Sequence, residues 1–97
     1  MYVIVWRYRV SAERAQEFER AYGPDGDWAR LFRRSEGYAG TELYRGLEAG
    51  TYLTLDSWTD EHAFARFRDE HAAAYADLDR QCDALTLSEE RVGAMSS

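Results

Sequence analysis

Residues 51–67, TYLTLDSWTDEHAFARF, carry an acid and an indole two positions apart, then pass directly into a helical pattern that holds a histidine. Successive side chains leave opposite faces of a strand, so Tyr52, Thr54, Asp56 and Trp58 share one face while Leu53 and Leu55 share the other. Beyond Asp60 the apolar spacing becomes helical, and Phe64, Phe67, His71, Tyr75 and Leu78 fall on one stripe. A helix folded back over this strand would bring Asp56, Trp58, Phe64, Phe67 and His71 to one space. Such a space could hold a flat apolar molecule against Trp58 and move a proton on Asp56 or His71.

Each of these residues also has a purely structural use. An acid among aromatic rings is costly unless it is hydrogen-bonded, and tyrosine hydroxyls, an indole N–H or an arginine could satisfy Asp56. Burial without a nearby cation would instead raise its pKa and suit it to general-base work. His71 titrates near neutrality when unperturbed, which favours proton transfer, but a histidine on an apolar stripe is commonly a packed core residue. Trp58 can be a core anchor or a wall for an aromatic ligand. His62, in the first helical turn, is expected to be exposed. Cys82, the single cysteine, has no disulfide partner and reads as a packed thiol.

The elements that must position these groups follow from the same patterning. Residues 2–10, YVIVWRYRV, form a strand with Tyr2, Ile4, Trp6, Tyr8 and Val10 on one face and Val3, Val5, Arg7 and Arg9 on the other. Ser11 is expected to cap a helix over 12–22 with Ala15, Phe18 and Tyr22 inward, and Gly23-Pro24-Asp25-Gly26 stops it. A shorter helix from about Asp27 to Arg34 turns Trp28, Leu31 and Phe32 inward. Glu36-Gly37-Tyr38-Ala39-Gly40 then leads into a strand from Thr41 to Arg45. The link from Gly46 to Gly50 is of hairpin length, so this strand should pair antiparallel with Thr51 to Trp58.

Asp60 or Thr59 is the expected N-cap of the long helical pattern that runs towards Ala84 with a break near Ala72-Ala73-Ala74. A last strand begins at Leu85, and residues 95–97 are expected to fray as a disordered tail. The order βααββαβ predicts an α+β fold with helices on one face of a four-stranded antiparallel sheet. Helices can cover only one side of the first strand, whose second face is still half apolar.

With 97 residues the chain is expected to be one domain, residues 1–94, with a limited core that would gain from pairing with a second copy. Eighteen acidic against twelve basic residues give a net charge of −6, and Arg33-Arg34 is the one basic pair, so nucleic-acid binding is not expected. No apolar run approaches the roughly 20 residues of a membrane helix, and a cytoplasmic location is the default. No cysteine–histidine cluster offers a metal its ligands.

The first strand running into a helix, the turn Gly37-Tyr38-Ala39-Gly40 and the junction from Trp58 to Phe64 resemble the antibiotic biosynthesis monooxygenase-like family, over about Tyr2 to Val92. The resemblance implies a ferredoxin-like fold, a homodimer through the sheet face that closes a dimeric α+β barrel, and a small-molecule pocket between sheet and helices. Cofactor-free monooxygenases of this family that act on polycyclic aromatic polyketides have an Asn four residues before the tryptophan, a Tyr six after it and an Arg about twenty after it. This chain keeps Trp58 but has Thr54, Phe64 and Leu78 at those places, with Arg80 near the last. Haem-degrading members have an Asn, a Trp and a haem-ligating His where this chain has Trp6, Phe67 and Asp77, and His71 falls short of the ligand position.

The expectation is therefore a cofactor-independent monooxygenase, or a related enzyme, acting on a hydrophobic aromatic metabolite. Asp56 and His71 are its catalytic candidates, and Trp6, Tyr8, Thr54, Trp58, Phe64 and Phe67 its binding wall. No cofactor and no metal are expected. The alternative is a non-catalytic binding or accessory domain of the same fold.

Overall fold

The strands β1 (Tyr2–Arg9), β2 (Tyr38–Arg45), β3 (Thr51–Trp58) and β4 (Ser88–Ser96) form one antiparallel sheet in the order β2-β3-β1-β4 in a computed structural model that describes residues 1–97. In the central pair Tyr2 lies opposite Trp58, Ile4 opposite Asp56, Trp6 opposite Thr54 and Tyr8 opposite Tyr52. Directly opposed residues share a face, so the two aromatic-rich faces expected from alternation merge into one. Helices α1 (Ala15–Tyr22), α2 (Asp27–Phe32), α3 (Glu61–Glu70) and α4 (Ala72–Cys82) all lie on that side. Phe18, Tyr22, Trp28, Phe32, Ala63 and Phe67 from the helical segments pack there with Ile4, Tyr8, Tyr52 and Trp58. This is the ferredoxin-like α+β architecture.

The junctions are fixed by short-range interactions. Asp60, one of the two residues expected to cap α3, accepts a hydrogen bond from the Ala63 amide at 2.8 Å. The Thr59 amide donates to the Gly37 carbonyl at 2.8 Å, and a Cβ on Gly37 would come within 2.3 Å of the Ala63 Cβ, so only glycine lets α3 press this closely on the turn before β2. A bulge interrupts the β2–β3 register between Tyr38 and Gly40, where Gly40 has φ of +140°.

Several expected boundaries move. Ser11 forms no side-chain cap; the segment opens as a single 3-10 turn, Ala12–Arg14, closed by the Arg14 amide on the Ser11 carbonyl. Strand β2 begins at Tyr38, ahead of the bulge. The long helical pattern breaks at His71, with φ −119° and ψ 28°, one residue before the alanine run. A 3-10 turn, Asp83–Leu85, delays β4 to Ser88. Residues 95–97 are no loose tail: Met95 and Ser96 pair with Val3 and Tyr2 in β4, and the Ser97 amide donates to the Met1 carbonyl at 3.1 Å.

On the opposite face, Leu53, Val92 and Tyr44 are exposed beside the nearly buried Val5. Arg7 and Arg9 lie on this side and pair with Glu90 and Glu48 at 3.6 and 3.3 Å. Both pairs are solvated and contribute little to stability. No helix is long and apolar enough to cross a membrane.

Candidate functional site

A cavity of about 40 Å³ lies between the sheet and the helical layer. The strands supply Trp6, Tyr8, Thr54 and Asp56 to its floor; Tyr22, Trp28 and Phe32 come from α1 and α2. Tyr75 and Asp79 of α4 close it with Glu89 of β4. The rings interlock edge to face, with Trp28 and Tyr75 centroids 5.0 Å apart and Tyr8 and Tyr22 also 5.0 Å apart.

Asp56, 9 % exposed, is the acid of this floor. The Thr41 hydroxyl donates to its Oδ1 at 2.7 Å, and the Tyr38 hydroxyl lies 2.5 Å from the same Thr41 oxygen. Thr41 has one proton and gives it to the carboxylate, so Tyr38 is the donor in the second bond. The chain Tyr38, Thr41, Asp56 thus connects a half-buried phenol on β2 to the cavity floor. No arginine bonds Asp56, and burial pushes its carboxyl up to about 6 against the opposing pull of the Thr41 hydrogen bond. Burial also pushes the Tyr8 and Tyr22 hydroxyls well above the usual phenol range, so both stay neutral.

Two further polar atoms of the lining are buried without a well-formed hydrogen bond, Thr54 Oγ1 beside the Tyr8 hydroxyl and Trp28 Nε1 beside the Tyr22 hydroxyl and the Cys82 thiol. Unpaired buried donors are uncommon because each forfeits its hydration. An indole N–H, a hydroxyl and a carboxylate on the same small cavity form a recognition set with open valences.

Four of the residues expected at the site line the cavity: Trp6, Tyr8, Thr54 and Asp56. Trp58, Phe64, Phe67 and His71 do not. Trp58 is fully buried, with the rings of Phe32, Tyr38, Phe64 and Phe67 between 5.3 and 5.4 Å from its own. His71 rests on Phe67 at 5.3 Å and is bonded to no polar partner through its side chain. The reason is where the α3 stripe lands: it packs on the Trp58 end of β3, whereas α1, α2 and α4 roof the Asp56 end. His62 is exposed, and Cys82 is buried with its thiol pushed up by burial.

Sequence reasoning placed Tyr22, Trp28, Phe32 and Tyr75 inward without assigning them to a site. Thr41 is not assigned to the site from the sequence: pairing the expected strand ends Arg45 and Thr51 would set it opposite Leu55, and the observed register, Arg45 opposite Tyr52, brings it to Asp56. Asp79 and Glu89 gave no signal, since each sits in a polar stretch that reads as solvated.

The fold and this cavity place the chain in a recognisable class. Residues 1–78 match the family model described as antibiotic biosynthesis monooxygenase, and the chain belongs to that family. Its fold is shared with SnoaB, a cofactor-independent oxygenase from Streptomyces nogalater, at 24 % identity and a TM-score of 0.72 over 99 % of this chain and 91 % of that one. It is also similar to a putative antibiotic biosynthesis monooxygenase from Bordetella bronchiseptica, at 19 % identity and a TM-score of 0.74 over 99 % and 95 % of the two chains. A third similar structure, a putative antibiotic biosynthesis monooxygenase from Deinococcus radiodurans, is 15 % identical with a TM-score of 0.71 over 100 % and 92 %. No curated protein matches the sequence.

Proposed function

We propose that the protein is a cofactor-independent monooxygenase whose substrate is a hydrophobic aromatic molecule bound between the sheet and the helices, with Asp56 as the proton acceptor. The observation that carries this reading is a buried Asp56, bonded only by the Thr41 hydroxyl, that shares with Thr54 and Trp28 a cavity walled by rings and edged by Asp79 and Glu89. A carboxylate titrating near 6 is mostly ionised at neutral pH and still basic enough to take a phenolic proton in the transition state. The phenolate so formed is electron-rich enough to reduce dioxygen. One oxygen atom becomes a quinone-type carbonyl on a ring carbon, and the other leaves as water with that carbon's hydrogen and the phenolic one, so the substrate itself supplies all four electrons that dioxygen takes up. The Trp28 N–H and the Thr54 hydroxyl are suited to hold the developing oxyanion.

Engineered cavities of roughly 150 Å³ admit benzene, so a ring can enter here only when part of the wall moves outward. Helix α4 is the suited part: Cys82 is its one buried residue, and the break at His71 separates it from α3. The exposed Leu53, Val92 and Tyr44 on the reverse face support a homodimer that covers that side of the sheet.

A second reading, a non-catalytic binding domain, is favoured by Phe64 and Leu78, which stand where the resemblance called for a tyrosine and an arginine. Oxygen consumption with polycyclic phenols, measured beside ligand quenching of tryptophan fluorescence, separates the two. Turnover that is lost in Asp56→Asn is the expected result. Quenching without oxygen consumption in the parent protein would establish the binding domain instead.

A further inference from the structure

We propose that the ligand of this cavity carries a positive charge, a protonated or quaternary amine attached to its aromatic body and held at the mouth between Asp79 and Glu89; this rests on the cavity being a ligand site. Three carboxylates, Asp56, Asp79 and Glu89, line the cavity, and no arginine or histidine does. Asp56 lies in the floor, whereas Asp79 on α4 and Glu89 on β4 are exposed residues of the lining, near enough for one charge to act on the other. They are crowded: partial burial first, then Asp79 and Asp83, hold the Glu89 carboxyl above the usual range. A bound cation would relieve that repulsion.

The walls point the same way. Trp6, Tyr8, Trp28 and Tyr75 offer ring surfaces to the space, and an alkylammonium is attracted to such faces. One face of Tyr75 is already taken by the Arg68 guanidinium at 4.0 Å, outside the lining, so the rings left to a bound cation are those of Trp6, Tyr8 and Trp28. A metal ion is the weaker match, because the carboxylates are not gathered into any cluster that could ligate one. The Thr54 hydroxyl and Trp28 N–H, neither in a well-formed hydrogen bond, remain for an oxygen on the buried end of the same ligand. The ligand class is thus an amine-bearing aromatic, with its oxygen function inward and its charge outward.

Three probes of matched shape test this by quenching of the tryptophans in the full chain: 1-naphthylmethylamine, 1-naphthylmethanol and 1-naphthoate. The amine should bind about tenfold more tightly than the alcohol at low salt, with the carboxylate weakest. Glu89→Gln combined with Asp79→Asn should bring amine and alcohol to within about twofold, whereas Glu13→Gln, an exposed acid far along the chain, should leave the preference intact. Equal binding of amine and alcohol by the parent protein overturns the charge preference and leaves the aromatic site standing. A preference that survives the double variant overturns the assignment to Asp79 and Glu89. Failure of all three probes to bind overturns both the cation site and the ligand cavity beneath it.

Discussion

Two aromatic clusters share the helix-covered face of the sheet, one around Trp58 and one around Trp28, and they have opposite character. Around Trp58 the rings of Phe32, Tyr38, Phe64 and Phe67 close completely, and the tryptophan has no exposed surface. Around Trp28 the rings of Tyr8, Tyr22 and Tyr75 also interlock, yet over Asp56 and Thr54 they leave a cavity. Ring content is similar, so hydrophobicity does not decide which cluster is hollow. The floor differs: the open cluster lies over a carboxylate, Asp56, bonded only by the Thr41 hydroxyl, and a carboxylate is far costlier to seal over than the buried indole N–H of Trp58. Phe32 belongs to both clusters and couples the sealed half to the open one.

The most severe way to break this contrast is to hollow the sealed half. Trp58→Ala should destabilise the fold by about 3–5 kcal/mol, the range for large aromatic truncations in a core. That is a sizeable part of the roughly 5–15 kcal/mol holding a domain together. Urea titration would read it as a lower midpoint. Trp28→Phe, in the open half, should cost much less stability while weakening ligand quenching. Equal stability losses at the two sites would erase the distinction between them.

Asp56→Asn sharpens the comparison because its effects on stability and function have opposite signs. Burial holds the Asp56 carboxyl at about 6, above its ordinary 3.8, so the fold prefers the protonated form. Its contribution to stability is therefore fully present below about pH 4 and is lost as pH rises through about 6. A shift of this size corresponds to roughly 3 kcal/mol. Asparagine cannot ionise and can still accept the Thr41 hydrogen bond. The variant should match the parent near pH 4, exceed it by up to about 3 kcal/mol at pH 8, and lack oxygen consumption. Denaturation at the two pH values checks the first part; a variant that loses stability at pH 8 would show that Asp56 is a structural acceptor.

The two halves also differ in how far the sequence exposes them. Alternation in β1 and β3 and the helical stripe from Phe64 identify the covered face, and the cap is narrowed to Asp60 or Thr59, of which Asp60 takes the Ala63 amide. These are local signals with a fixed period. What one chain could not show is which end of β3 each helix covers, since that depends on crossing angles and on the break at His71. The stripe points to Asp56 in the sequence, whereas α3 covers Trp58 and His71 falls on Phe67. Asp79 and Glu89 reach the cavity only through tertiary packing, and nothing periodic marks them.

Thr41 is the finer probe of the open half. Its hydroxyl favours the ionised carboxylate and so holds the Asp56 pKa below what burial alone would give. Thr41→Val keeps the shape and removes the donor. The rise of activity with pH, centred near 6 in the parent, should move upward, and the Tyr38 hydroxyl should lose its acceptor. An unmoved pH profile would show that the rate-controlling base is another group. Tyr38→Phe, which leaves the Thr41–Asp56 bond in place, should move the profile less.

The smallest predicted effect lies at the junction that holds the sealed half shut. Asp60→Ala removes the cap on the Ala63 amide and should cost about 1 kcal/mol. Ala63 is also the residue pressed against Gly37, so fraying of the first turn of α3 would loosen the contact that seats Phe64 and Phe67 around Trp58. None of these groups lines the cavity, so ligand affinity should stay within about twofold, a change of less than 0.5 kcal/mol. Amide hydrogen exchange in the first turn of α3, followed together with probe binding, measures both quantities at once. Faster exchange there with unchanged binding is expected if the two halves are energetically separate, whereas a matching loss of affinity would mean that Phe32 transmits the disturbance from the closed cluster to the open one.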